Sequence, residues 1–384
     1  MSELLDRHIP ILRYDSQGSF AADSPAIMTN RIGPGGDPAN LLKRADGTVL
    51  ASAAGGRHRP RLKLGFLGPR RYGDDSRVAR SDHLDAVGGD YVLQAREMHR
   101  GEFADRVYGH EIGADDGGAW LQYWLFYLYN DKAFLGFGLH EGDWEMAQVR
   151  IGPDGEPREM TFAQHNHGQR CDWDAVEKHG EQPIVYVARG SQASYPFAGR
   201  HDAPIVPDHA DGRGAEVSPT LEPVGDEAPG WVGWPGRWGS SRARNVAESN
   251  SPRGPAHQDK WSHPTTFHEE SDPVEARRLA AEAPPTPPAP AIEVRREGDR
   301  AVIAYRFEAP ARPAPAQLLL TLDSPGDGLP PATYAKPVDD PAGEYEHPLP
   351  LEDRPYEVRV SAADERGEVS EPVVLPLQAS GPHL

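Results

Sequence analysis

Residues 120–131 carry large apolar or aromatic side chains on both faces of a strand, and this run constrains the fold more than any other segment. Alternate positions place Tyr123, Leu125 and Tyr127 on one face and Trp124 and Phe126 on the other. Side chains of a strand alternate between the two faces of a sheet, so a strand that is apolar on both faces lies between two layers. The run predicts a central strand that is covered on both sides.

The abundance of glycine and proline extends this prediction to the whole chain. Of the 384 residues, 40 are glycine and 39 are proline, a content that favours turns and long loops over long helices. Apolar residues make up 38% of the chain, which is enough for a globular core in a protein of this length. We therefore expect a mainly β protein, built as a β-sandwich with long loops.

The formal net charge of −19 limits the partners of the chain. Nucleic acids and anionic membranes select Lys and Arg, so we expect no nucleic acid partner, whereas cations are favoured. The single cysteine, Cys171, excludes an intramolecular disulfide. The sequence shows neither a transmembrane segment nor a classical signal peptide, so we expect a protein that is cytoplasmic, or exported without such a signal.

A proline-rich segment over residues 282–291 predicts a semi-rigid spacer between two domains. We place the first domain at residues 1–283, the linker at 284–291 and the second domain at 292–384. Short alternating runs after the linker indicate strands, with a turn after the run at 356–362. Helical patterns are limited to residues 174–179 and 273–283.

The second domain resembles a fibronectin type III domain, a small β-sandwich in which a tyrosine near the start of one strand fixes a corner. Tyr356 occupies the matching place in the run Tyr-Glu-Val-Arg-Val-Ser-Ala. The resemblance implies a spacer or adhesion module and therefore protein partners bound through residues 292–384, with no chemistry of its own.

The run His-Glu-Gly-Asp-Trp-Glu at residues 140–145 concentrates ligating side chains at the start of a strand. A period of two sends Asp143 and Glu145 to one face, with His140 just before the strand. Asp131, at the end of the preceding strand, comes close if the two strands pair. Three oxygen donors and one imidazole suit Mg²⁺, Ca²⁺ or Mn²⁺, so we predict Asp131, His140, Asp143 and Glu145 as ligands of a divalent metal ion. The alternative is a hydrogen-bonded carboxylate cluster paired with Arg.

Histidines further along the chain allow a catalytic interpretation. His165 and His167 lie two apart on one strand face, and His201 follows in the next segment. His165 or His201 could act as the general base of a metal-dependent hydrolase; the alternative is that these are ordinary polar residues. Ser191 and Ser194 lie in no nucleophile elbow, which disfavours a serine hydrolase. Tryptophans at 231–238 and 261 could stack on a sugar or enter a lipid interface, but they more often pin long loops onto a core.

Several ordered segments together resemble the vacuolar protein sorting-associated protein sixty-two family over residues 8–268. They include His-Ile-Pro-Ile-Leu-Arg-Tyr-Asp from His8, His-Glu-Gly-Asp-Trp-Glu from His140 and Gly-Ser-Gln-Ala-Ser-Tyr-Pro from Gly190. The family name records a trafficking association and implies no reaction.

A more distant similarity is to the necrosis-inducing, ethylene-inducing-peptide-like proteins, which are β-sandwich cytolysins with a Gly-His-Arg-His-Asp-Trp-Glu heptapeptide. His140, Asp143 and Glu145 match its first His, its Asp and its Glu, and Asp131 is the counterpart of an upstream aspartate. Glu141 and Gly142 depart from the heptapeptide. The similarity implies a divalent metal site beneath a glycolipid-binding surface.

Three functions follow from these patterns. The first is a metal-binding, toxin-like β-sandwich that binds a polar, glycan-bearing or glycolipid-bearing surface. The second is the metal-dependent hydrolase. The third is a structural or cargo component of a larger assembly.

Overall fold

The computed structural model describes residues 3–30, 40–59, 61–64, 71–72, 76–77, 79–132, 139–165, 167–203, 206–226, 229–240, 251–266, 269–270, 284–308, 310–350 and 354–379. Over these ranges the chain is mainly β, which confirms the predicted fold class. Its α-helices there are short: α1 (Glu3–Arg7), α2 (Tyr91–Met98) and α3 (Asp259–Ser262). We call the described residues up to 270 the N-terminal unit and those from 284 onward the C-terminal unit.

Strands carry nearly all of the regular structure in both units. The N-terminal unit contains β1 (Ile11–Tyr14), β2 (Asn40–Lys43), β3 (Val49–Ser52), β4 (Arg71–Tyr72), β5 (Ser76–Arg77), β6 (His83–Ala86), β7 (Arg106–Gly113), β8 (Ala119–Asn130), β9 (His140–Ile151), β10 (Pro157–Gln164), β11 (His167–Asp172), β12 (Lys178–His179), β13 (Gln182–Val187), β14 (Ser194–Tyr195), β15 (Gly199–His201), β16 (Asp208–Ala210), β17 (Glu216–Val217), β18 (Thr220–Pro223) and β19 (Glu269–Glu270). The C-terminal unit contains β20 (Ala291–Glu297), β21 (Arg300–Arg306), β22 (Gln317–Asp323), β23 (Ala332–Pro337), β24 (Ala342–Pro348), β25 (Tyr356–Ala363) and β26 (Val373–Leu377).

The largest sheet has the order β18-β7-β8-β9-β10-β11-β19, with β8 and β9 near its middle. These two strands pair antiparallel, with Tyr127 opposite Asp143 and Asn130 opposite His140. The side chains of β8 are buried on both faces from Ala119 to Leu128. The prediction of a central strand at residues 120–131 is therefore correct.

A tryptophan cluster covers one face of the β8–β9 pair. Trp144 of β9 stacks on Trp231 at 5.4 Å, and Trp238 meets both Trp144 and Phe126 edge-on or tilted at 5.4 Å. Trp231, Trp234, Trp238 and Trp261 are all at least 96% buried. They pin the loops at 229–240 and 251–266 onto the sheet, so the alternative that these rings are exposed for a sugar or lipid is wrong.

The C-terminal unit is a sandwich of two sheets, β20-β21-β24 and β23-β22-β25-β26. Tyr356 begins β25 and is 98% buried, as expected for the corner tyrosine of a fibronectin-like sandwich. The alternating apolar residues of β22 and β25 fill the space between the sheets, with Leu320 opposite Val360. The predicted fibronectin-like arrangement is present.

The described part of the proline-rich segment contacts the rest of the protein at a few positions. Residues 284–290 contain no helix or strand, and Pro287 and Pro290 are buried. Arg366 donates a hydrogen bond to the carbonyl of Pro285 at 3.3 Å. The helix predicted at 273–283 lies outside the described residues, and the proposed domain boundaries stay a prediction.

The prediction of the other helix, at residues 174–179, is wrong. A short 3₁₀ turn spans Trp173–Ala175, and Lys178–His179 then pair as β12 with β13. The pairing of two strands outweighs a local pattern that spans less than two turns of helix.

One buried amide joins the two units. Gln17 donates from Nε2 to Thr321 Oγ1 at 2.9 Å, and its Oε1 accepts from Ser361 Oγ at 2.8 Å and from Arg189 Nη1 at 2.9 Å. Gln17, Thr321 and Ser361 are all at least 98% buried. The amide oxygen therefore serves as the acceptor for two donors, while Thr321 Oγ1 has a second partner in Thr333 Oγ1 at 2.9 Å.

We expect Gln17→Ala to lower the free energy of unfolding by about 2 to 4 kcal/mol, because it leaves buried donors without an acceptor. Urea unfolding followed by fluorescence measures the change. Gln378→Ala, at an exposed position, is the control and should alter stability by less than about 0.5 kcal/mol. Equal stability of the two variants would contradict the assigned role of Gln17.

Candidate functional site

The predicted ligands of β9 lie where β8 ends and β9 begins. Asp143 and Glu145 are 94% and 95% buried, and Asn130 Nδ2 donates to Asp143 Oδ2 at 2.8 Å. Glu145 Oε2 and His140 Nδ1 are buried and have no hydrogen-bond partner within the described part of the chain. Burial and the neighbouring Asp143 raise the pKa of Glu145 well above its ordinary value, and the ammonium of Lys260 opposes this shift. Glu145 is thus a buried acid that lacks a full set of partners.

Asp131 faces a different part of the molecule. With Lys132, Arg189 and His209 it lines a cavity of about 30 Å³ whose opposite wall belongs to the C-terminal unit. Burial raises the pKa of Asp131 to about 7, and the charge of Arg189 opposes the rise. Among the described residues, the four predicted ligands do not form a group whose ligand atoms all lie within 4.8 Å of one another. The assignment of Asp131, His140, Asp143 and Glu145 stays a prediction.

The two departures from the heptapeptide have structural reasons. Glu141 accepts hydrogen bonds from the backbone N–H groups of Ala86 and Ser240 and from the hydroxyl of Tyr91, so it holds loops together. Gly142 has φ +59°, and a Cβ atom there would lie 2.3 Å from the carbonyl oxygen of Trp238. A histidine at this position would collide with the tryptophan cluster.

A buried carboxylate, Asp208, contacts four side chains, one of which is His165, a residue that the sequence suggested for catalysis. Its Oδ1 accepts from Ser191 Oγ at 2.7 Å and contacts Lys132 Nζ at 2.9 Å, and its Oδ2 accepts from Tyr195 OH at 2.7 Å. His165 Nε2 lies 3.0 Å from Oδ2. Burial raises the pKa of Asp208, but the hydrogen bond from His165 and the charge of Lys132 outweigh burial and lower it. Asp208 is therefore an ionised anchor for these segments.

The two predicted general bases differ in their surroundings. His165 has φ +52° and a side chain that is 28% exposed, and its Nε2 contacts the buried carboxylate of Asp208. His201 is 93% buried, stacks on Tyr195 at 3.7 Å and donates from Nε2 to the carbonyl of Phe197. Burial lowers the pKa of His201 to about 4. His201 is therefore a neutral ring packed in the interior, whereas solvent can reach His165. His167 is exposed.

A third cluster, which the sequence did not indicate, consists of Asp23, His99 and Asp105. His99 Nδ1 lies 2.8 Å from Asp23 Oδ1 and His99 Nε2 lies 3.9 Å from Asp105 Oδ2. One ligand atom from each of the three residues lies within 4.8 Å of the other two, a spacing at which all three could bind one metal ion. Among the described residues, this is the group of three His, Cys, Asp or Glu side chains that meets this distance. Asp105 adopts φ +52°, and its backbone N–H donates to Asp23 Oδ1 at 3.1 Å.

The chemistry of the cluster suits a divalent ion. Burial raises the pKa of Asp23, although its hydrogen bond to His99 opposes the rise; burial lowers the pKa of His99, but the bond to Asp23 outweighs burial and raises it. Asp105 Oδ1 is buried without a hydrogen-bond partner in the described ranges. Two carboxylates and one imidazole can hold a divalent ion and leave coordination positions open.

The cluster opens onto a cavity of about 440 Å³ between the two units. His99 and Asp105 form part of one wall together with Tyr14, Asp15 and Ser16. The loop of residues 323–331 and the side chain of Arg359 form the opposite wall. A ligand in this cavity would touch the candidate metal centre and both units at once.

Comparison with curated proteins gives distant relatives. Vacuolar protein sorting-associated protein 62 of Saccharomyces cerevisiae is 27% identical, with 38% of each chain covered. A protein of the same yeast named as vacuolar protein sorting-associated protein TDA6 is 31% identical, with 23% of this chain and 24% of its own covered. The chain thus spans well under half the length of both relatives. The predicted resemblance is confirmed as a distant similarity, and no family model matches the sequence.

Solved structures resemble parts of the chain. Structures titled "Toxin fold for microbial attack and plant defense" and "NLPPya in complex with glucosamine" are each 13% identical, with a TM-score of 0.23, and each covers 31% of this chain and 51% of its own. The fn3 domain of human contactin 1 is 14% identical, with a TM-score of 0.20, and covers 27% of this chain and 85% of its own. Similarity at this level gives no basis for assigning the ligands or binding residues of those proteins to this chain. No described helix has the length and apolar character needed to cross a membrane.

The depressed pKa of His201 predicts a pH-dependent stability. A neutral buried histidine stabilises the fold fully above about pH 6.5, and this stabilisation is lost as pH falls toward about 4, because the unfolded chain binds the proton first. Between pH 7.5 and pH 5.0 the loss is about 2 kcal/mol.

We expect His201→Phe, which keeps a ring on Tyr195, to lose about 2 kcal/mol less than the parent over this pH range in urea unfolding. His58→Gln, at an exposed position, is the control and should follow the parent. An unchanged pH dependence in His201→Phe would show that His201 is not held neutral.

Proposed function

We propose that this protein binds a divalent metal ion through Asp23, His99 and Asp105 and uses it to bind a polar, glycan-type ligand in the cavity between its two units. The observation that carries the proposal is the position of this cluster in the wall of a 440 Å³ cavity. Cavities of this size are typical of small-molecule sites.

Three protein ligands leave room for a ligand to coordinate the ion. A divalent ion of this type takes four to eight ligands, so water or the hydroxyl groups of a bound sugar would complete its shell. The cavity wall adds the polar side chains of Ser16, Ser324 and Asp323 and the guanidinium of Arg359. This mixture of donors and acceptors, beside the aromatic ring of Phe20, fits a polyhydroxylated molecule better than a fully apolar one.

A second position for the ion is the one predicted from the sequence, with Asp131, His140, Asp143 and Glu145 as ligands. Its support is the pair of buried atoms without partners, Glu145 Oε2 and His140 Nδ1. A cation there would offset the cost of burying two neighbouring carboxylates. The nearby charge of Lys260 already provides part of this compensation, so we favour the cavity site.

The hydrolase remains a second candidate function because His165 combines partial exposure with an ionised partner, Asp208. In that case His165 would move the proton of an attacking water. The role of a structural or cargo component in a larger assembly stays the third candidate.

Metal binding separates the two positions. After EDTA treatment and dialysis, we expect the parent chain to bind one Mn²⁺, measured by titration calorimetry and elemental analysis. The double variant Asp23→Asn, His99→Gln should lose this ion because two of three ligands are gone, whereas Asp143→Asn, Glu145→Gln should retain it. Loss in the second variant alone would move the site to β9, and equal binding by both variants would refute both positions.

Ligand binding tests the rest of the proposal. We expect small sugars such as glucosamine to raise the thermal unfolding temperature of the Mn²⁺-loaded parent, and to do so less after EDTA treatment, because the ion contributes contacts. Asp105→Asn should reduce the shift, while Asp226→Asn, an exposed aspartate outside the cavity, should not. Release of product from a glycoside or phosphoester would favour the hydrolase, and a sugar response that ignores Mn²⁺ would contradict metal-dependent binding.

A further inference from the structure

The helix that ends at the candidate metal centre is held by the C-terminal unit at both of its ends. His99 is the C-cap residue of α2, and its backbone N–H donates to the carbonyl of Ala95 at 2.7 Å. At the other end the N-cap Asp90 caps Leu93, and its Oδ2 lies 3.4 Å from the hydroxyl of Tyr334 in β23. The position of His99 therefore depends on how α2 is fixed.

The strongest of these attachments is an ion pair one helical turn before His99. Arg96 Nη2 lies 2.8 Å from Asp327 Oδ2, and both side chains are 96% buried. Breaking such a pair by neutralising one partner is costly because the remaining charge stays buried. Arg96 Nη1 is buried and has no hydrogen-bond partner in the described part of the chain, so the bond from Nη2 to Asp327 is the main compensation for the guanidinium charge.

Asp327 belongs to the loop of residues 323–331 that forms the far wall of the cavity. The same pair thus fixes two things at once, namely the helix that carries a metal ligand and the loop that faces it. Asp105, the third ligand, is placed independently, because its backbone N–H bonds to Asp23.

We propose that Arg96 and Asp327 are positioning residues for the metal centre, so that docking of the C-terminal unit sets the metal affinity of a site whose ligands all belong to the N-terminal unit. This inference rests on the proposed function, since it concerns the same ion. Residues that orient a ligand through a neighbouring contact commonly change metal affinity by about 10- to 100-fold when they are replaced.

The chain offers a matched control at another point of the same interface. Arg200 donates to both carboxylate oxygens of Glu368 at 2.8 to 2.9 Å, and Glu368 is 98% buried. This second ion pair also joins the two units, but neither residue lines the cavity. Its loss should weaken the docking of the units without moving α2.

The test compares Mn²⁺ affinity, measured by calorimetry on the full chain, for Asp327→Asn, Glu368→Gln and the parent at a temperature where all three are folded by circular dichroism. We expect about tenfold weaker binding for Asp327→Asn and unchanged binding for Glu368→Gln. The conservative variant Asp327→Glu keeps the charge and should recover part of the affinity.

The possible results distinguish failure of the metal site from failure of the positioning role. Absence of Mn²⁺ binding by the parent would remove the proposed function itself. Parent-like affinity in Asp327→Asn would overturn the positioning role while the metal site stands. Equal weakening in Asp327→Asn and Glu368→Gln would also overturn it, because general loosening of the interface would then explain the effect. If Asp327→Asn fails to fold, Arg96→Met provides the same comparison, because it breaks the same pair while Asp327 keeps the hydrogen bond from the backbone N–H of Leu329.

Discussion

The antiparallel pairing of β8 with β9 is the interaction on which the rest of the structure depends. Both strands are twelve residues long, and their side chains are buried on both faces over most of that length. Other parts of the chain therefore have to cover both faces of this pair of strands. The tryptophans of the 229–240 loop cover the face of Trp144, while α1 approaches the other face, where Tyr123 donates to the carbonyl of Leu5. His140 begins β9 and lies opposite Asn130, the last residue of β8.

Local pattern was sufficient for the features that repeat along one strand. The two-sided apolar run at β8, the alternation at β25 and the corner position of Tyr356 are each readable within about ten residues, and all three are as expected. The short helix at 174–179 was not, because pairing of β12 with β13 replaced it. A period of two also placed Asp143 and Glu145 on one face correctly, but it could not show that Asp131 turns toward the other unit.

The Asp23–His99–Asp105 cluster was beyond the reach of such patterns. His99 lies 76 positions after Asp23, and Asp105 lies 82 positions after it, so no spacing rule connects them. A single signal existed in principle: Asp105 occupies the left-handed region of backbone conformation, which Asp tolerates better than most residues. That preference becomes informative only once the fold brings the three segments together.

The cavity has walls from both units, and thermodynamic reciprocity attaches a consequence to that geometry. Any molecule that binds between the walls is stabilised by their docking, and it must stabilise their docking by the same factor. The ligand would therefore hold the two units together. Its contribution to the free energy of docking of the units would equal the contribution of the second wall to the free energy of ligand binding. The C-terminal sandwich would then contribute to recognition without supplying a metal ligand, simply by being held in place.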